Sequence, residues 1–175
     1  MATALVLSAG GMFAAWEAGV WKSLSHRFKP DLIVGASAGA WNEWMDSATA
    51  RIGLFVVEVP RLGARLVRDS EITWRHLAAT CTTPFGLPPV RIQGRRYVYG
   101  GLLGALPLWA AQEMGATRAI AVNALTTLPF RVIRIEPSTE LGSVRDAVCW
   151  SRPNVERWIE QGERDANRVA TSITM

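Results

Sequence analysis

An apolar run, Leu32-Ile33-Val34, feeds directly into Gly35-Ala36-Ser37-Ala38-Gly39, and helix-compatible residues come next. Few folds accommodate that order. The chain must turn sharply from a buried strand into a helix, and small residues are needed because strand and helix approach closely at the corner. The corner residue is held in a strained, exposed conformation. The free N–H groups at the start of the next helix, with their partial positive charge, point at the same spot. An oxygen that must become anionic during a reaction is well placed there. Ser37 is therefore the candidate nucleophile, and Gly35 and Gly39 are the glycines of the elbow. The competing reading is a small-residue turn with an incidental serine. The strand before it and the helical run after it favour the elbow.

The rest of the chain supports a sheet around that corner. Residues 4–8 read as a short buried strand, broken by Gly10-Gly11. Met12, Ala15, Trp16, Gly19, Val20 and Ser23 recur at helical spacing, which predicts a helix to about His26. Residues 31–35 form a second strand, and a helix is expected from Ala38 to about Ala50. This strand–helix–strand–helix start favours a parallel sheet covered on both faces. Further strands are expected at 53–59, 65–68, 119–123 and 131–135, with a hairpin over 90–98 turning at Gln93-Gly94. Residues 73–81 and 107–114 suit helices, the second with Pro107 near its first turn and Gly115 at its end. The prolines of 82–89 mark a loop, and a polar amphipathic helix starts at Pro153. With 175 residues and no repeat or linker, residues 1–175 read as one domain.

Composition narrows the function classes. Hydrophobic residues make up 49% of the chain, so a packed core is expected. No apolar run is long enough to span a bilayer, and the first residues lack the basic leader of a signal peptide. Cys81 and Cys149 have neither metal-ligand nor CxxC spacing, so no metal is expected and the cytoplasm is the expected compartment. The net charge of +4 comes largely from Arg61, Arg65, Arg68, Arg91, Arg95 and Arg96. These suit a solvated surface or weak attraction to an anionic membrane. No zinc-finger or RNA-binding signature accompanies them, so no nucleic acid is expected. The eight tryptophans, including Trp41 and Trp44 after the elbow, are expected mostly in the core, with some lining an apolar cleft.

The loop Ala9-Gly10-Gly11-Met12 is the second chemical motif. Consecutive glycines at a strand-to-helix junction expose backbone N–H groups, which can hold a phosphate or the oxyanion of acyl transfer. A dinucleotide loop would need G-x-G-x-x-G, and Ala9, Phe13, Ala14 and Ala15 break that pattern. If the first two strands are parallel, their carboxyl ends emerge on one side, and Ser37 faces this loop across a crevice.

The third motif is Tyr97-Val98-Tyr99-Gly100-Gly101-Leu102-Leu103, followed by Leu106-Pro107-Leu108. Together with Leu7-Ser8-Ala9-Gly10-Gly11, Ala18-Gly19-Val20, Gly35-Ala36-Ser37-Ala38-Gly39 and Pro88-Pro89-Val90, in that order, the chain resembles the patatin-like phospholipase family of serine hydrolases over most of its length. The resemblance implies a three-layer α/β/α sandwich with a mainly parallel sheet. It implies a serine–aspartate dyad with Ser37 as nucleophile, and an oxyanion hole from Gly10, Gly11 and Met12. Substrates would be acyl esters of lipids and related compounds, with no cofactor.

The chain departs from the family in three places. The family aspartate lies immediately before the glycine pair of the third motif, where Tyr99 stands, ahead of Gly100 and Gly101. A phenol, with a pKa of about 10, is protonated at neutral pH. It serves as a base only if its pKa is depressed, for which Arg95 or Arg96 are the nearest candidates in sequence. Phe13 stands where a basic residue often comes after the glycine loop. The stretch between the elbow helix and the third motif is short. Other acids are expected to be solvated or helix-start charges: Glu17, Glu58, Asp69, Glu71, and Asp46, which is about 13 Å up the helix from Ser37. His26 and His76 are expected at the surface or in a cap. Three functions remain open: an acyl-ester hydrolase, an inactive relative that binds a lipid or partner, and a phosphate-binding module using the glycine loop.

Overall fold

The computed structural model describes residues 1–45, 50–82, 86–124 and 133–169. Within them eight strands form one sheet: β1 (Thr3–Leu7), β2 (Leu32–Gly35), β3 (Arg51–Val59), β4 (Gly63–Arg68), β5 (Val90–Ile92), β6 (Arg95–Val98), β7 (Arg118–Val122) and β8 (Ile133–Ile135). The helices are α1 (Ala14–Leu24), α2 (Ala38–Met45), α3 (Trp74–Thr80), α4 (Leu108–Glu113), α5 (Val144–Val148) and α6 (Arg152–Val169). Strands β3, β2, β1, β7 and β8 are neighbours in that order and all parallel. Antiparallel pairs add β4 to β3, β6 to β3, and β5 to β6. The result is an α/β/α sandwich around a mainly parallel sheet.

Side-chain alternation explains the layers. Paired residues on adjacent strands point to the same face, and successive residues point to opposite faces. One face carries Leu5, Leu7, Ile33, Ile120 and Val122, which pack on Phe13, Trp16, Val20 and Leu24 of the first helical segment and on Trp158 and Ala166 of α6. The same face continues into Leu54 and Val56 of β3, covered by Ala40 of α2 and by Leu77 and Ala79 of α3. The opposite face carries Ala4, Val6, Leu32, Val34 and Ala121 beneath Ala110 and Ala111 of α4 and the nearby Met114. Because both faces are covered, the central strands are apolar throughout, and β2 is buried at every position.

Strand β3 positions the site. β4 runs along one edge of β3 over residues 53–58. A strand has only two edges, so β2 and β6 share the other: β2 opposite residues 51–54 and β6 opposite residues 57–59. β2 runs parallel to β3 and β6 antiparallel, so their carboxyl ends meet head to head beside Phe55 and Val56. Residues after Gly35 and residues after Val98 therefore leave the sheet at one point.

α1 and α6 cross through two glycines. A Cβ at Gly19 would collide with the backbone carbonyl of Ile159, and one at Gly162 with that of Trp16. An indole N–H secures the crossing, Trp16 Nε1 donating to Asp165 Oδ2 at 2.9 Å, while Trp158 Nε1 ties α6 to the Leu141 carbonyl at 2.7 Å. Gly162→Ala must push two backbones apart. It is expected to cost about 1–3 kcal/mol, measured as a lowered urea midpoint with an unchanged slope.

Several sequence expectations are met closely. The hairpin turns at Gln93 and Gly94, both with positive φ, and Gly115 (φ 91°) comes just after α4. Others need correction. The helix predicted from Ala38 is described to Met45, residues 46–49 lie outside the described residues, and Ala50 is a bend. Pro107 precedes α4 as its cap rather than opening it. The strand expected at 131–135 is described only as β8, since residues 131 and 132 lie outside the described residues. The short helix α5, capped by Ser143, has no counterpart among the sequence expectations. The tryptophans are less buried than expected among the described side chains, of which Trp44 is not one. Trp16 and Trp158 are fully buried, but Trp41, Trp74, Trp109 and Trp150 rank among the exposed large hydrophobics. Spacing alone does not reveal which helix faces lack a neighbour.

Candidate active site

Ser37 lies two residues past the end of β2 and departs from regular backbone geometry. Its φ is 57°, in the left-handed region that costs a non-glycine residue roughly 1–2 kcal/mol. Two hydrogen bonds hold it there. The Ser37 N–H donates to Thr80 Oγ1 at 2.9 Å, and the Thr80 hydroxyl donates to the Phe55 carbonyl at 3.0 Å. Thr80 thus ties the corner to the middle of β3. The elbow also needs Gly39, because a Cβ there would fall 2.6 Å from the Ser8 carbonyl and 3.1 Å from the Leu7 Cβ. The first turn of α2 sits directly on the end of β1.

The glycine loop lies at the same end of the sheet, since Leu7 pairs with Gly35 in parallel register. Gly11 and Met12 open a 3₁₀ turn (Gly11–Phe13) that runs into α1. The Phe13 N–H is bonded to the Gly10 carbonyl. The N–H groups of Gly11 and Met12 precede it and lie beyond the reach of any carbonyl within the helix. Gly10 is buried and packs near Ala124, while Gly11 is exposed. Gly11 has φ 56°, and a Cβ on it would strike the Ala147 carbonyl, so α5 borders the loop.

The third motif arrives from β6. The Tyr99 N–H donates to the Thr82 carbonyl at 3.1 Å, and the Ala9 N–H donates to the Ala105 carbonyl at 2.7 Å. Gly100 lies against the Phe55 carbonyl, and the Tyr99 ring lies over Gly101. Ala9, Ala36 and Phe55 form one buried cluster, with Tyr99 and Ala105 packed against it. Residues from all three motifs are therefore in contact, although they are far apart in the chain.

Among the described residues, the groups beside the Ser37 side chain are neutral. Ser37 is only 6% exposed. The Cys81 thiol is pushed up by burial, which outweighs its hydrogen-bonding contacts with the Trp41 and Ser37 side chains. The Tyr99 phenol is raised by burial and then by the neighbouring Cys81. The arginines considered from sequence do not lower it. Arg95 is engaged with Glu58 Oε2 at 3.0 Å on the surface, and Arg96 is exposed. Among the described residues, no carboxylate or imidazole hydrogen-bonds to Ser37.

The other candidate acids have different occupations. Glu17 was expected at the solvated surface but is completely buried. Burial raises its carboxyl to about 8, against a smaller opposing effect of hydrogen bonds from Ser8. Ser8 Oγ donates to Glu17 Oε1 at 2.8 Å and accepts from the Ala124 N–H at 2.9 Å. Among the described residues, Glu17 Oε2 has no hydrogen-bond partner, and it lies 3.2 Å from where a Gly39 Cβ would be. Glu58 pairs with Arg61 and Arg95, and Asp69 accepts from the Ile52 N–H. Asp46 lies outside the described residues. His76 caps α3 by accepting from the Thr73 N–H at 3.2 Å, and its imidazole is lowered by burial and by Arg65. His26 is exposed. Among the described residues, no group of three or more His, Cys, Asp or Glu is arranged to hold a metal ion.

Sequence reasoning missed Thr80 and Cys81, which have no local pattern linking them to Ser37. It also misjudged Glu17, for which a signal existed. Glu17 lies four residues after Phe13 and three before Val20, on the stripe that α1 buries.

A family model for patatin-like phospholipase matches residues 5–43, the stretch from β1 through the glycine loop and α1 to the elbow and most of α2. No curated protein matches the chain.

Proposed function

We propose that this chain is a serine hydrolase of the patatin-like kind that cleaves carboxylic esters of lipids or related small acyl compounds. The observation that carries this reading is the contact of three separate motifs around Ser37: the glycine loop through Ala9, the elbow through Ala36, and the third motif through Tyr99 and Ala105. In this reading Ser37 Oγ attacks the ester carbonyl, and the N–H groups of Gly10, Gly11 and Met12 hold the developing oxyanion. Gly35, Gly39, Gly100 and Gly101 supply the close backbone packing. The serine proton passes to water or to Tyr99, which takes the place of the family aspartate. Exposed apolar side chains on the bordering elements suit an acyl chain: Trp41 beside Cys81, Leu102 and Leu103 after the glycine pair, Trp109 stacked edge-on with Phe55, and Val148 of α5. Among the described residues, no helix is long and apolar enough to cross a membrane, and access to lipid is proposed as peripheral contact from the cytoplasm.

One observation favours a second reading, a relative that binds lipid or a partner without turnover. Tyr99 is raised from its ordinary value, so the proposed base is more firmly protonated than a free phenol. Fluorophosphonate labelling separates the two. Labelling of wild type but not of Ser37→Ala or Ser37→Gly supports a reactive serine; glycine is the better control because it adopts φ 57° without strain. A folded wild-type protein that resists the probe would exclude the hydrolase reading.

A further inference from the structure

We propose that Ser37 accepts an acyl group from a reactive ester and retains it, so that the chain stalls as a serine acyl-enzyme. The inference rests on the reading of Ser37 as a nucleophile and concerns the fate of the acyl group once it is attached. In the first chemical step the Ser37 Oγ–acyl carbon bond forms, the ester C–O bond breaks, the alcohol portion leaves, and the serine proton passes to water. An aryl ester needs little assistance, because its phenolate leaves without a proton. The N–H groups of the glycine loop stabilise the oxyanion.

The second step differs in its demands. Water must reach the acyl carbon, lose a proton as it attacks, and return a proton to Ser37 Oγ as the alkyl ester breaks. That leaving group is poor, so an ionised base is required. Among the described residues, no carboxylate or imidazole hydrogen-bonds to Ser37. The Ser37 and Trp41 side chains both contact the Cys81 thiol, and the Tyr99 phenol neighbours that thiol. Among the described residues, the buried carboxyl of Glu17 is committed to Ser8, and Glu58 to Arg61 and Arg95. Residues 83–85 and 125–132, outside those described, contain no Asp, Glu or His, and Glu43 and Asp46 come six and nine positions after Ser37, about 9 and 13 Å at helical rise. Acylation therefore proceeds on an oxyanion hole alone, while deacylation lacks its base.

The experiment is incubation of the full chain with p-nitrophenyl butyrate, with stopped-time release of p-nitrophenolate and intact-mass analysis as readouts. The expected result is a burst of one equivalent per chain, then a phase at least about tenfold slower. A mass gain of one butyryl group should map to Ser37 after digestion and be absent from Ser37→Gly. Cys81→Ser should still acquire the adduct. Linear, Ser37-dependent release with no mass gain would overturn the stall while leaving the hydrolase reading intact. An adduct on Cys81 would overturn it as well. Neither release nor adduct from a folded protein would remove both this inference and the reading beneath it.

Discussion

Tyr99→Asp is expected to raise Ser37-dependent ester hydrolysis about 10²–10³-fold, the usual worth of a positioned general base. The backbone at this position is already placed for the task. The Tyr99 N–H is bonded to the Thr82 carbonyl, and two residues earlier Thr80 holds the Ser37 N–H. Residues 37 and 99 are thus anchored to one short segment at the end of α3. The substitution exchanges a neutral phenol for a group that is ionised at neutral pH in the absence of burial. It also removes a half-buried ring from the cluster of Ala9, Ala36 and Phe55, which is expected to cost about 1–3 kcal/mol of stability. Rate and stability therefore move in opposite directions, which distinguishes added chemistry from general loosening. The rate should rise with pH through the pKa of the new carboxylate and then level, and Ser37→Gly in the same background should abolish it. A folded Tyr99→Asp protein with an unchanged rate would show that position 99 does not face the reacting oxygen.

Glu17→Gln is expected to remove a large pH dependence of stability. The Glu17 carboxyl has an ordinary value of 4.5 and is raised to about 8 in the fold, chiefly by burial. Between those values the folded state keeps a proton that the unfolded state has lost. Stability is fully present below pH 4.5, falls as pH rises, and levels off above about 8. At 1.36 kcal/mol per unit, the loss across that window is about 5 kcal/mol. Glutamine has the same shape, can still accept from Ser8, and does not ionise in this range. The variant should match the parent near pH 5 and exceed it increasingly up to pH 8, as measured by urea unfolding at each pH. If the two proteins lose stability in parallel, the carboxyl is not desolvated as its position implies. The site would share in the change, because Glu17 lies beneath both Ser8 at the end of β1 and Gly39 at the start of α2.

Much of the architecture could be read locally. The elbow, the glycine loop, the β5–β6 hairpin and the parallel pairing of the first two strands all arise from residues close together in the chain. Strand periodicity, glycine at tight corners and small residues at close approaches are properties of a few neighbouring positions. Helix α5 escapes such a reading because its five residues carry no extended apolar pattern. The tryptophans were misplaced because burial depends on which other element covers a helix face. Glu17 was misjudged for the same reason, despite lying on the apolar stripe of α1.

The linear order of residues determined the set of parts: a serine on a strand-to-helix corner, bare amides after the first strand, and a tyrosine before a glycine pair. Only the tertiary structure decided their company. β2 and β6 share one edge of β3 and end head to head, so Ser37 and Tyr99 leave the sheet together beside Thr80 and Cys81. The physical reason is that backbone geometry arises from nearby residues, whereas the protonation state of a side chain depends on every atom that displaces water around it. Among the described residues, the fold surrounds Ser37 with neutral groups and encloses Glu17 beneath the elbow; the first outcome is written in no local stretch of the chain, and the second only as the apolar stripe of α1.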